Sequence, residues 1–237
     1  MINLNIPKFA GFNEATFRFL RTNYSKNSKA WFENNREQYQ RWVLLPFQSL
    51  VCDLTETMLT FDPWFEIRPA IDKTISRIYR DTRFSKDKTL YRENLWLTFK
   101  RPSEDWKGSP AFFFELFPSW YRYGMGYYSA SSTTMQKFRS AIDDQPDTFL
   151  KVTEFYRKKN YYRLEGERYK RQLPVNHPSE IQEWYSLKSF YLVCNKKKDR
   201  LLTSSKLIHE LKSRFLVLKL LYQYLIVLHD SGREQEF

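Results

Sequence analysis

Between Tyr79 and Tyr91 the chain gathers Arg80, Asp81, Arg83, Lys86, Asp87 and Lys88, interleaved with the hydroxyls of Thr82, Ser85 and Thr89. Arginine presents a planar fork of N–H donors that matches a phosphate or carboxylate in pairs, and lysine adds a point charge beside it. An anion-binding site built from Arg80, Asp81, Arg83, Ser85, Lys86, Asp87 and Lys88 is therefore one reading of the segment. A second is purely structural, because Arg–Asp pairs can lock a loop to its own domain and do nothing more. A third is catalytic: Asp81 or Asp87 would act as general base on a phosphorylated or nucleotide substrate while the arginines stabilise developing negative charge. Asp81 and Asp87 could also hold a divalent ion, but the surrounding cations disfavour a bare one unless phosphate accompanies it. No metal site is assigned.

Other chemistry has little foothold. The chain has no GxSxG elbow, P-loop or GxGxxG fingerprint, and Gly124-Met125-Gly126 reads as a bend or bulge in an aromatic strand. His177, His209 and His229 stand apart, without HExxH or Cys/His spacing. Neither a catalytic activity nor a cofactor can be named on these grounds. A weaker patch is Trp31, Asn34, Asn35 and Arg36: on a helix Trp31 and Asn35 share a face, as do Phe32 and Arg36. The two aromatic rings read as core anchors, with Asn35 and Arg36 bordering a pocket.

The elements that must position these residues follow from periodicity. Asn13 can cap a first helix carrying Phe17 and Leu20. A second helix is expected over about 29–44, and Pro46 suits the first turn of a third, on which Leu50, Val51, Leu54 and Met58 repeat at helical spacing. Four strands are then expected, at 74–80, 93–100, 111–117 and 120–128. Leu95, Leu97 and Phe99 alternate with Trp96, Thr98 and Lys100 at the period of a strand. The charged cluster would thus occupy a hairpin connection. Ser131 or Ser132 caps a further helix, and another follows Pro146 with Phe149, Leu150 and Phe155. Residues 161–173 look extended, a short helix follows Ser179, and 189–194 read as a buried strand. A long helix over about 205–229 carries Leu207, Leu211, Phe215, Leu218, Leu221 and Leu225 as a stripe that can dock on the sheet. Helices and strands are segregated rather than alternating. The expected fold is α+β, an antiparallel mid-chain meander packed by N-terminal helices and a long C-terminal helix, in one domain over 1–237.

Composition sets the partners that are worth testing. The 237 residues include 20 Phe, 16 Tyr and 7 Trp, ample for a core, and only 6 Gly. The net charge is +12, and it is uneven: residues 1–150 hold 21 basic and 17 acidic side chains, whereas 151–237 hold 18 and 10. Such an excess favours phosphates, nucleic acid or acidic surfaces. In the C-terminal third, Phe155-Tyr156-Arg157-Lys158-Lys159, Tyr161-Tyr162-Arg163 and Tyr169-Lys170-Arg171 interleave rings with cations, the chemistry of single-stranded nucleic acid binding. The alternative is an amphipathic helix end and an edge strand with solvated lysines, and Lys196-Lys197-Lys198 reads as a solvated turn. The longest apolar stretch, 216–228, is interrupted by Lys219 and Gln223 and falls short of a membrane span. Cys52 and Cys194 lie far apart, and the first ten residues lack an apolar signal core. A reducing, cytoplasmic location is expected.

The run Tyr79-Arg80-Asp81-Thr82-Arg83-Phe84-Ser85-Lys86-Asp87-Lys88-Thr89 closely resembles the signature of a family of conserved hypothetical proteins, domain of unknown function 2461. The resemblance extends to Phe9-Ala10-Gly11-Phe12, to Trp31-Phe32-Glu33-Asn34-Asn35-Arg36 and to Leu164-Glu165-Gly166, and so to most of the chain. Leu90 replaces the family's usual proline, which loosens one backbone angle, and Arg92 replaces a lysine while keeping the charge. The resemblance carries no activity with it. It implies that Arg80, Asp81, Arg83, Lys86, Asp87 and Lys88 act as a unit. The expected function is a binding or regulatory domain holding a phosphate-bearing or carboxylate ligand at this cluster. An enzyme of phosphorylated substrates and a nucleic-acid-binding protein are the alternatives.

Overall fold

The computed structural model describes residues 6–102, 107–158, 161–170 and 177–230. Helices α1 (Glu14–Lys26), α2 (Lys29–Asn34), α3 (Arg36–Tyr39) and α4 (Leu45–Leu59) come first, and then the strands β1 (Leu95–Phe99), β2 (Pro110–Leu116) and β3 (Trp120–Tyr127). Helices α5 (Ser132–Asp144), α6 (Pro146–Val152) and α7 (Glu154–Lys158) lead to β4 (Arg163–Glu165), α8 (Ser179–Tyr185), β5 (Tyr191–Lys197) and α9 (Lys206–Asp230). The strands form one antiparallel sheet in the order β1-β2-β3-β5-β4, with Leu164 opposite Leu192 where β4 meets β5. The fold is α+β. No helix among the described residues is long and apolar enough to cross a membrane.

Two compact units divide the chain, and β2, β3, β5 and α9 contribute residues to both. In the first, Phe12 stacks on Phe114 of β2 with centroids 5.8 Å apart, and Phe47 of α4 meets both rings, at 5.1 and 6.2 Å. Gly11 turns the chain into this core at φ 106°, and a Cβ there would fall 2.4 Å from the Thr203 carbonyl carbon. In the second, Phe112 of β2 meets Phe215 and Tyr222 of α9, at 5.2 and 5.3 Å. Phe138, Phe149, Trp184 and Phe190 pack edge-on or tilted at 5.0 to 5.6 Å, geometries that ring quadrupoles favour. The six residues of the expected α9 stripe are all fully buried. Gly126 lies in β3, where a Cβ would stand 2.4 Å from Tyr191 Cα. Close approach of β5 is what excludes a side chain there.

Several expected elements differ, each for a local reason. The helix expected over 29–44 breaks at Asn35, whose Nδ2 donates to the Trp31 carbonyl at 2.8 Å and takes the place of a main-chain donor. The chain then runs on through α3 and a π-helical turn (Gln40–Leu44) into α4. Pro46 has no N–H to give the Trp42 carbonyl, and the hydroxyl of buried Thr16 donates to that oxygen instead, at 2.6 Å. Residues 74–80 form no strand. Ile75 bridges Leu97 and Tyr79 bridges Tyr91, but the Trp96 N–H donates to the Ser76 hydroxyl rather than to a main-chain carbonyl. The meander therefore has three strands, not four. The helix after Pro146 stops at Thr153, whose hydroxyl donates to the Phe149 carbonyl at 2.7 Å. Only Arg163–Glu165 of the expected extended stretch is a strand, and residues 171–173 lie outside the described residues. Ser179 is the first residue of α8 rather than its cap, and β5 runs past Cys194 to Lys197.

Candidate anion-binding loop

The charged cluster sits in a loop closed at its neck by main-chain hydrogen bonds. Arg80 N donates to the Leu90 carbonyl at 2.8 Å and Arg92 N to the Ile78 carbonyl at 2.9 Å, on either side of the Tyr79–Tyr91 bridge. It is a bridged loop rather than the connection of a strand hairpin. Aromatic packing fixes this neck: the Tyr79 and Tyr91 rings lie 5.0 Å apart, and Phe32 of α2 meets them at 5.2 and 5.3 Å. A further tie comes from α1. Its C-cap Asn27, left-handed at φ 46°, accepts from Leu90 N at 2.7 Å through its side-chain oxygen. Burial pushes up the phenol groups of Tyr39 and Tyr91, so both stay neutral at physiological pH.

Within the loop both carboxylates are engaged. Asp81 accepts from Arg83 Nε at 3.0 Å and Nη2 at 2.7 Å, a two-point pair, and from the Arg83 amide. Asp87 accepts from the Thr89 hydroxyl at 2.6 Å and amide at 2.9 Å, and pairs with Arg80 Nη1. The hydrogen bonds from Arg83 hold Asp81 at about 2, and those from Thr89, followed by the one from Arg80, hold Asp87 at about 2. Lys88 Nζ donates to the Thr82 carbonyl at 2.9 Å. Lys86 has no hydrogen-bond or ion-pair partner among the described residues, and the Ser85 amide donates to the Thr82 carbonyl at 3.4 Å. Phe84, 96% exposed, projects from the tip beneath the Arg83 guanidinium. The structure thus brings all seven expected site residues into one loop, with two arginines braced by carboxylates and one lysine unbraced.

A family model for conserved hypothetical proteins, DUF2461, matches residues 15–224. The chain belongs to that family. No curated protein matches it. The matched span includes the whole loop together with Asn27 and Phe32, whereas the opening Phe9-Ala10-Gly11-Phe12 precedes it.

The other candidate patches of this DUF2461 chain resolve differently. Phe32 is a core anchor, Trp31 packs half-buried on Phe19 at 5.5 Å, and Asn35 is spent on the Trp31 carbonyl. Arg36 pairs with Glu33 on the surface. In the basic C-terminal stretches Lys158 pairs with Glu154 and Arg157 Nη2 donates to the Leu150 carbonyl at 2.9 Å, while Lys159 and Arg171 lie outside the described residues. Lys196-Lys197-Lys198 is no solvated turn. Lys196 and Lys197 belong to β5, Lys196 pairs with Glu210 at 3.0 Å, and Lys198 pairs with Glu14 at 2.6 Å over the Phe17 ring. Among the described residues no group of three or more His, Cys, Asp and Glu side chains is placed to hold a metal ion.

Three residues that matter here escaped the reading by motif. Asn27 lies 63 positions from its partner and leaves no local signal. Glu115 and Arg122 pair across the β2–β3 turn. Their signal was visible: each is a lone charge alternating with aromatic residues in an otherwise apolar strand.

Proposed function

We propose that this protein is a binding or regulatory domain that holds an anionic ligand, phosphate- or carboxylate-bearing, in the loop of Arg80, Asp81, Arg83, Ser85, Lys86, Asp87 and Lys88. The observation that carries the reading is the bracing of the arginines. Asp81 engages one edge of the Arg83 guanidinium and Asp87 one terminal nitrogen of Arg80, which fixes both planar forks before any ligand arrives. Preorganised donors lose less entropy when an anion docks on their remaining N–H groups. Lys86, without an internal partner, supplies uncompensated positive charge beside them. The same geometry favours binding over base catalysis, since a carboxylate held near 2 is a weak proton acceptor at neutral pH. The free thiols of Cys52 and Cys194 fit a reducing, cytoplasmic setting.

The test is a thermal-shift screen of wild type, Arg83→Ala and Lys86→Ala against nucleotides, sugar phosphates, carboxylates and short oligonucleotides. A small anion that raises the melting temperature of wild type and not of the variants supports the reading, because selective binding to the folded state stabilises it. If no anion shifts any of the proteins, and Arg83→Ala alone lowers the melting temperature, the loop is a structural charge network. Stabilisation by oligonucleotides alone, steeply weakened by salt, would move the function to nucleic acid.

A further inference from the structure

The sheet has a second face. Leu95, Leu97 and Phe99 of β1, Phe112, Phe114 and Leu116 of β2, and Tyr121 and Tyr123 of β3 are fully buried on one side. Strand alternation sends Trp96, Phe113, Trp120 and Arg122 to the other, where all are half-exposed. At its centre is Glu115, 8% exposed, a carboxylate that accepts from Asn94 Nδ2 and from Arg122 Nε. A buried charge persists only when paired and hydrogen-bonded, and these two donors meet that need. The Arg122 guanidinium lies 6.0 Å from the Phe113 ring and 5.8 Å from the Trp120 ring, and Phe117 stacks on Trp120 at 3.8 Å with the planes 10° apart.

From this arrangement we propose a second ligand site, distinct from the charged loop, in which Arg122 takes the anionic group of a small planar aromatic ligand whose ring stacks beside Phe113 and Trp120. Three features carry it. Glu115 engages Arg122 through Nε, and the two terminal amino groups have no partner among the described residues. Those groups are the paired donors that a phosphate or carboxylate accepts. The flanking rings are planar, rigid and half-exposed, the surface on which nucleobases and similar rings stack. Glu115 and Asn94 also fix the guanidinium before binding, so Arg122 has a defined direction as well as a charge. An aromatic ring with phosphate or carboxylate attached satisfies rings and arginine together, whereas either half alone satisfies only one.

The test is isothermal titration of the folded chain with AMP, benzoate, adenosine and inorganic phosphate, repeated in Arg122→Lys, Trp120→Leu and Lys86→Ala variants of unchanged circular dichroism. AMP or benzoate, depending on which anion the site prefers, is expected to bind saturably. Adenosine and phosphate alone should bind at least about tenfold more weakly. Arg122→Lys, which keeps the charge and loses the fork, should weaken binding about tenfold or more. Trp120→Leu should weaken it about fivefold or more, and Lys86→Ala, which alters only the loop, should leave the binding that depends on Arg122 in place. Phenylglyoxal labelling of wild-type Arg122, followed by peptide mass mapping, should slow in the presence of the bound probe and needs no variant. The proposal is overturned if neither AMP nor benzoate binds saturably, if Arg122→Lys binds as wild type does, or if saturating probe leaves Arg122 labelling unchanged. AMP binding that survives in Arg122→Lys and is lost in Lys86→Ala would place the nucleotide on the loop and equally overturn it. So would affinity that climbs with the length of a deoxythymidine oligomer, which would make the face a track for single strands.

Discussion

Replacing Asn27 with alanine removes two things at once, and they can be separated. The first is the hydrogen bond from the Leu90 amide to the Asn27 side chain, at 2.7 Å on an exposed neck. Its net value is about 0.5–1 kcal/mol, at the low end for such bonds because water can replace the partner. The second is the left-handed backbone at φ 46°, which asparagine tolerates and alanine resists by about 1–2 kcal/mol. Asn27→Ala should therefore cost about 1.5–3 kcal/mol. For a chain of this size that lowers the melting temperature by roughly 3–12 °C. Asn27→Gly loses the same hydrogen bond but adopts the left-handed conformation freely, so it should cost no more than about 1 kcal/mol. Urea denaturation gives the two free energies, and hydrogen exchange at the Leu90 amide gives the local effect. Both variants should lose protection at Leu90, while only alanine loses substantial global stability. Equal stability of the alanine and glycine variants would refute the backbone argument. Retained protection at Leu90 would refute the tie between α1 and the loop.

Two further perturbations follow from the geometry. The Asp81 and Asp87 carboxylates are depressed to about 2 in the folded chain, below the ordinary value of 3.8. Between those values the unfolded chain binds more protons, so their stabilising contribution is complete above about pH 4 and is lost as pH falls through 2. Carboxyl carbon shifts followed by NMR should show midpoints near 2 for both residues, and midpoints near 3.8 would show that the braces do not hold in solution. At the α3–α4 junction, Thr16→Val leaves the Trp42 carbonyl opposite Pro46 without its donor. The variant should lose about 1–3 kcal/mol in urea denaturation, Thr16→Ser markedly less, and equal losses would mean that the methyl group rather than the hydroxyl matters.

Periodicity carried most of the fold, and it did so where burial is one-sided. The stripe on α9 and the alternation of Leu95, Leu97 and Phe99 were legible because each repeats at the period of its element, and all are buried. Breaks were less legible, because single side chains make them. Asn35 and Ser76 each substitute a side-chain hydrogen bond for a main-chain one, the Thr153 hydroxyl joins its own amide on the Phe149 carbonyl, and nothing in composition distinguishes these residues from neighbours that do neither. The loop was legible as a dense run of charge, but its internal pairing was not. Which of Arg80 and Arg83 meets which aspartate depends on a turn whose neck is set by Phe32 and Asn27, far back in the chain. The pair of Glu115 and Arg122 was readable in principle from strand alternation, and went unread because aromatic residues dominate both strands.

The central claim is that the braced arginines and Lys86 form an anion site. Its most direct test is an NMR titration of the isotope-labelled chain with inorganic phosphate and pyrophosphate at constant ionic strength. Saturable shifts of the amides from Arg80 to Thr89 and of the Arg83 Nε–H, abolished by Lys86→Ala together with Arg83→Ala, are the predicted result. Shifts that grow linearly without saturating, or that saturate while leaving these amides unmoved, would contradict it.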